Sequence, residues 1–102
     1  MLEIRQNCEL CDKDLAPQAE DAMICSYECT FCVACVAGVL RNVCPNCGGG
    51  FVARPIRPST ERREGVSLRQ HPPNGTRVLT RWTREEIEAF AAEHAHVPPA
   101  RR

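Results

Sequence analysis

The sequence predicts a small metal-stabilised α+β domain, followed by an extension that ends in a helix. Two observations predict this fold. All eight cysteines of the 102-residue chain lie between Cys8 and Cys47. A helix-capping sequence begins at Thr83, far along the second half. The length suits one small domain with extensions.

The aromatic content is too low for a large apolar core. The chain has one tryptophan, one tyrosine and three phenylalanines. Small domains bury little apolar surface, and many depend on disulfides or bound metal for their stability. We therefore expect bonds to sulfur to hold residues 1–51 together as a domain.

The start of the chain predicts a soluble cytoplasmic protein. Charged residues such as Glu3 and Arg5 stand where a signal peptide would be apolar. The longest mostly apolar stretch, residues 31–40, is too short to cross a membrane, so no membrane contact is expected. In a reducing cytoplasm, clustered cysteines bind metal more often than they form disulfides.

The two halves of the chain differ in charge, although the whole chain is neutral. Residues 1–51 contain three basic and seven acidic side chains, a net charge of −4, whereas residues 52–102 carry +4. Metal ions bound by four thiolates would make the first half still more acidic. The cysteine domain is therefore not expected to grip a nucleic-acid backbone, which requires a basic face.

The spacing of the cysteines predicts two metal sites. The pattern is Cys8-x2-Cys11-x13-Cys25-x3-Cys29-x2-Cys32-x2-Cys35-x8-Cys44-x2-Cys47. Eight thiols are what two tetrahedral four-cysteine sites require, and both sulfurs of a C-x-x-C pair can reach one ion. Gly48 suits the left-handed backbone that a tight turn after such a pair needs. We expect two Zn²⁺ per chain, with iron as the alternative because it accepts the same ligand geometry.

Other uses of these cysteines fit the sequence less well. Disulfides would need an oxidising compartment. A redox pair of the thioredoxin kind would need a single C-x-x-C in a βαβ context, whereas this chain has several pairs close together.

The cysteines can be shared between two ions in two ways. In the sequential pairing, the first four bind one ion and the last four bind the other. Residues 22–25 are strand-like, residues 30–31 can return as a second strand, and residues 33–40 are apolar enough for a short buried helix. A knuckle, hairpin and helix form the treble-clef unit, which favours an interleaved pairing, although sequence alone leaves the connectivity open. The interleaved sites are Cys8, Cys11, Cys32 and Cys35 (site 1), and Cys25, Cys29, Cys44 and Cys47 (site 2).

The order of the eight ligands resembles the cross-brace of RING fingers, the zinc modules of many ubiquitin ligases, over residues 8–47. Leu10 matches the apolar residue that RING fingers present to a conjugating enzyme, and Pro45 matches the usual proline of the last pair. The sequence departs from the pattern at Cys29, often a histidine, and at Gly48, where a cationic residue is common. The resemblance implies a zinc scaffold and, as one alternative function, a ligase-type adaptor.

Residues 1–15 and 22–32 also resemble a family of short bacterial cysteine-rich proteins without an assigned function. This resemblance runs to about Pro58. It implies a bacterial cytoplasm, in which ubiquitin ligation is not expected.

The second half is predicted to contain a linker, a helix and a tail. Residues 52–81 are punctuated by proline and glycine and are expected to be a partly disordered linker. Residues 82–97 are predicted to form an amphipathic helix, because Thr83 and Glu86 have the spacing of a capping box. Residues 98–102 follow as a tail.

We expect the protein to be a binding module rather than an enzyme, because four thiolates leave the metal no open position for chemistry. The candidate surfaces for a protein partner are Leu10 and the helix face that carries Ile87 and Phe90. That face must pack on the zinc domain, on a second copy or on a partner. Nucleic-acid binding through the basic half is the alternative function. His94 and His96 do not share a helix face and are not expected to bind metal.

Overall fold

The computed structural model describes residues 1–102, which form a three-stranded sheet and two α-helices. The predicted small α+β class is confirmed. None of the helices has both the length and the apolar character needed to cross a membrane. The elements in chain order are β1 (Ala22–Ile24), β2 (Thr30–Cys32), α1 (Val33–Cys35), a π-helical segment (Val36–Leu40), β3 (Val52–Ala53), α2 (Arg84–His94) and a 3₁₀ turn (Pro99–Arg101).

The sheet is antiparallel, with β1 in the middle of the order β2-β1-β3. Met23 pairs with Phe31 of β2 on one side and with Ala53 of β3 on the other. The turn between β1 and β2 contains Glu28 with a positive φ of 67°. The predicted hairpin is confirmed. Strand β3 has no counterpart in the sequence predictions, because two exposed residues are too few to show a strand pattern.

The predicted short helix follows directly after β2. Its first turn, α1, continues as the π-helical segment, and its buried side chains include Cys35 and Leu40. Arg41 and Asn42, with positive φ of 51° and 60°, then reverse the chain. This reversal carries the backbone from the helix to the last cysteine pair.

Cysteines supply much of the buried core. Six of the thirteen residues in the main buried cluster are cysteines. Phe31 and Phe51 pack edge to face inside it, with ring centroids 5.5 Å apart. Phe51 is 8% exposed, so its ring closes this part of the core. Apolar packing and the sulfur clusters therefore occupy the same volume, and each depends on the other.

The segment predicted as a linker is hydrogen-bonded to the first residues of the chain. Arg54 is 4% exposed, and its guanidinium donates to the carbonyl oxygens of Arg5 at 2.7 Å and Ala16 at 2.8 Å. The guanidinium of Arg57 donates to the carbonyl oxygen of Leu2 at 2.7 Å. A planar group with several N–H donors can satisfy carbonyls from different loops at once. These two arginines tie the segment to the cysteine domain just after β3.

Helix α2 packs on the cysteine domain through Ile87 and Ala91, which are 2% and 1% exposed. Its predicted capping box is present: the Glu86 N–H donates to Thr83 Oγ1 at 3.1 Å, and the Thr83 N–H donates to Glu86 Oε1 at 3.1 Å. Ile87 lies in the main core cluster. Packing on the cysteine domain was one of the three possibilities predicted for this face, and it follows because the apolar face of an amphipathic helix buries itself on the nearest apolar surface.

The substitution Ile87→Ala is expected to lower the free energy of unfolding by about 2–5 kcal/mol, because it leaves a cavity beneath α2. Leu79→Ala is the matched control, since Leu79 is 60% exposed. Its effect is expected to stay within about 0.5 kcal/mol. Guanidinium chloride unfolding at fixed protein and metal concentration measures both. Equal effects of the two substitutions would contradict the packing of α2 on the domain.

Candidate metal centre

Four sulfur atoms converge at the first candidate site. The Sγ atoms of Cys8, Cys11, Cys32 and Cys35 all lie within 4.8 Å of one another. The Sγ atoms of Cys11 and Cys32 are 3.8 Å apart. A tetrahedral ion with metal–sulfur bonds of about 2.3 Å holds its sulfurs roughly 3.8 Å apart. The residues present therefore fit a tetrahedral ion, and they come from the turn before β1, the end of β2 and α1.

The second candidate site gathers Cys25, Cys44 and Cys47, whose Sγ atoms also lie within 4.8 Å of one another. Cys29 is outside this mutual group, but its carbonyl oxygen accepts from the Cys25 N–H at 3.2 Å, so it lies beside the group. Three sulfurs are thus in place for a metal ion, with a fourth beside them. The two groups have no cysteine in common, and their composition is that of the interleaved pairing.

Both sites use the same backbone turn, which we call knuckle 1 (residues 8–13) and knuckle 2 (residues 44–49). In each, the first cysteine donates its N–H to the carbonyl oxygen five residues later, at 2.8 Å in both turns. Its own carbonyl accepts from the N–H four residues later, at 2.9 Å in knuckle 1 and 2.7 Å in knuckle 2. The residue after the second cysteine is left-handed in both, Asp12 with φ 65° and Gly48 with φ 81°. The predicted conformation of Gly48 is confirmed, and aspartate is among the few side chains that tolerate it.

Backbone N–H groups point at the sulfur atoms. The Tyr27 N–H donates to Cys25 Sγ at 3.3 Å, and the Gly49 N–H donates to Cys47 Sγ at 3.4 Å. Donors aimed at sulfur offset the negative charge of a thiolate. The turns therefore position their cysteines and also favour the form that binds metal.

These contacts separate the pKa values of neighbouring thiols. Burial raises the pKa of Cys8, but backbone N–H donors outweigh it and hold that pKa below the usual thiol value. Hydrogen bonds from the thiols of Cys29 and Cys44 lower the pKa of Cys25 to about 3. The same contact with Cys25 raises the pKa of Cys44, and burial raises the pKa of Cys35. In each group one thiol therefore loses its proton more readily than its neighbours. The positive charge of a divalent cation would then let the other thiols ionise as well.

Asn46 connects knuckle 2 to the C-terminal segment. Its Nδ2 donates to Cys29 Sγ at 3.4 Å, and its Oδ1 accepts from Trp82 Nε1 at 3.1 Å. One amide thus orients a cysteine of the second site and the aromatic residue that precedes α2. Arg102 holds the far side of the same turn, donating to the carbonyl oxygen of Gly48 at 3.1 Å.

Residues 74–80 hold knuckle 1 in a similar way. Asn7 is fully buried, and its amide exchanges two hydrogen bonds with the backbone of Val78, at 2.8 and 3.1 Å. Arg77 forms ion pairs with Asp12 at 2.8 Å and with Asp14 at 2.6 Å. The exposed ion pairs contribute little, whereas the buried amide depends on its partner.

Sequence reasoning missed these supporting residues, because partners 36 to 71 positions apart leave no local pattern. Of the residues predicted for a partner surface, Leu10 and Phe90 are half-buried. The ring of His94 packs on Phe90, with centroids 4.5 Å apart, and neither His94 nor His96 belongs to a sulfur group.

Comparison with known proteins identifies the family. The family described as "Protein of unknown function (DUF1272)" matches residues 1–57. An uncharacterised protein of Rhizobium meliloti (strain 1021) is 49% identical over 79 residues, which cover 78% of this chain and 87% of that protein. No solved structure shows significant similarity. The predicted membership of a cysteine-rich family without assigned function is confirmed, and the chain belongs to the DUF1272 family.

Proposed function

We propose that the protein binds two structural Zn²⁺ ions in an interleaved, RING-like cross-brace, and that this scaffold presents a surface to a protein partner. Site 1 is formed by Cys8, Cys11, Cys32 and Cys35, and site 2 by Cys25, Cys29, Cys44 and Cys47. The observation that carries the proposal is the mutual approach of the four sulfurs of site 1. In this arrangement knuckle 1, the β1–β2 hairpin and α1 make up one treble-clef unit.

The donor set supports zinc as the ion. All eight candidate ligands are sulfur, which suits Zn²⁺ and iron and does not suit Mg²⁺ or Ca²⁺. Small structural sites with four cysteines most often hold zinc. Iron is the competing ion, and its charge-transfer absorption in visible light distinguishes it from colourless zinc.

A structural role follows from the number of ligands. Four thiolates fill a tetrahedral coordination shell, so no position is left to activate water or polarise a substrate. The proposal therefore assigns no catalytic activity to the metal. Metal binding instead supplies much of the folding free energy, because most of the core cluster consists of cysteines and the residues between them.

A protein partner suits this surface better than a nucleic acid does. The cysteine domain carries a net charge of −4 before any thiolate is counted. Two ions with four thiolates each add further negative charge. A surface of this sign repels phosphate groups, whereas a protein partner can supply complementary basic side chains.

Native mass spectrometry of protein purified without added metal is the first test. Two zinc ions per chain are expected. Cys8→Ser and Cys44→Ser are each expected to lose one ion and to unfold part of the domain. A cooperatively folded chain without metal would contradict the proposal.

Two double variants test the pairing. With interleaved sites, Cys8→Ser/Cys32→Ser damages one site and retains one ion, whereas Cys8→Ser/Cys25→Ser damages both and retains none. With sequential sites the two results are exchanged. The variants remove the same number of thiols, so each is the control for the other, and native mass spectrometry reads both.

The substitution Asn46→Ala is expected to speed zinc release from site 2 by about 10–100-fold, because the amide that orients Cys29 is lost. Site 1 should release its ion at the unchanged rate, which provides an internal control. Gln18→Ala, at an exposed position, controls for the loss of a surface amide. Transfer of zinc to a coloured chelator gives both rates, and equal acceleration at the two sites would contradict the role of Asn46.

A further inference from the structure

An open groove lies between knuckle 2 and helix α2. It has a volume of about 340 Å³, near the lower limit of ligand pockets. It is therefore large enough for one or two side chains and too small for most cofactors. Its lining residues include Pro45, Trp82, Glu86, Ala89, Phe90 and Glu93.

The walls of the groove combine apolar surface with acidic side chains. Trp82 and Phe90 provide aromatic surface, and both are only half-buried. Glu86 uses Oε1 in the capping box of α2, which leaves Oε2 for another partner. Glu93 is exposed and also lines the groove, about two helical turns beyond Glu86. The groove can thus hold an apolar group between two carboxylates.

The charged side chains that line the groove are both carboxylates, Glu86 and Glu93. Helix α2 contains four glutamates and one arginine, and that arginine, Arg84, is paired with Glu88 at 3.0 Å. The other wall belongs to knuckle 2, whose thiolates make it negative when metal is bound. The Trp82 ring already stacks on a guanidinium, since Arg81 lies 4.5 Å from its centroid. An occupant with positive charge is therefore complementary to the two carboxylates that line the groove, Glu86 and Glu93.

A second copy of this chain fits the groove less well. Its exposed arginines include Arg62 and Arg63, neither of which lines the groove. A head-to-tail contact between different patches of two copies builds open chains unless the rotation between the copies closes a ring. The same acidic walls disfavour nucleic acid. The observations favour a different protein.

We propose that the groove binds a basic segment of another protein, which inserts one bulky apolar side chain between Trp82 and Phe90. Lysine or arginine residues on either side of it pair with Glu86 and Glu93. The inference rests on the proposed function, because metal site 2 holds the wall that contains Pro45. Aromatic and arginine side chains at the centre of small interfaces supply most of their binding energy.

The test selects random dodecapeptides displayed on phage against the full chain, after native mass spectrometry has established its metal content. Enriched sequences are expected to contain an apolar residue flanked by lysine or arginine. A synthetic peptide of an enriched sequence should shift the emission of Trp82, the single tryptophan of the chain. Ala89→Lys, which fills the groove with a cationic side chain, should lower the affinity for that peptide by at least about tenfold.

The control compares two exposed glutamates of α2. Glu93→Gln should weaken binding several-fold, and Glu88→Gln, which lies outside the groove lining, should change it less than about twofold. Selection of acidic peptides, no enrichment over the Ala89→Lys variant, or a dimer seated on the groove would overturn this inference while the two ions remain. A metal-free folded chain would overturn the proposed function and this inference with it.

Discussion

The crossing of the two sulfur clusters is the constraint on which the rest of the structure depends. One cluster joins knuckle 1 to the start of α1, and the other joins the β1–β2 turn to knuckle 2. Because the cysteine pairs alternate along the chain, each cluster encloses part of the segment that builds the other. The short hairpin between them is then held at both ends. With metal ions bound as proposed, the domain needs only a small apolar core, and here that core is centred on Phe31 and Phe51.

The C-terminal segment stabilises the two knuckles from outside. Residues 74–80 contact knuckle 1 through Asn7, and Trp82 contacts knuckle 2 through Asn46. Both contacts use an asparagine amide, which can donate and accept at the same time. The orientation of each cysteine turn is therefore coupled to a segment far away in sequence. This coupling also forms the groove, since one of its walls is knuckle 2 and the other is α2.

The elements that sequence could predict are those encoded by local spacing. The cysteine pairs, the left-handed Gly48 and the capping box at Thr83 each depend on residues at most a few positions apart, and the structure contains them all. The sequence also favoured the grouping of alternate cysteine pairs, because the hairpin and the helix between the pairs could be recognised. The sequence could not show which distant residue each apolar or polar side chain contacts. Ile87 was correctly placed on an apolar helix face, but the surface it packs on lies in a different part of the chain.

The buried asparagine of knuckle 1 shows why the extension belongs to the fold. Asn7 is fully buried, and its amide satisfies Val78 and the carbonyl oxygen of Cys8 at 3.1 Å. Asn7 lies inside the region that defines the family, whereas Val78 lies outside it. In a chain without the extension, water could take the place of the Val78 backbone. The Asn7 amide would then keep its hydrogen bonds, but knuckle 1 would be exposed to solvent. The extension therefore does not create the sulfur clusters. It covers knuckle 1 at Asn7, and a buried hydrogen bond of this kind resists local opening.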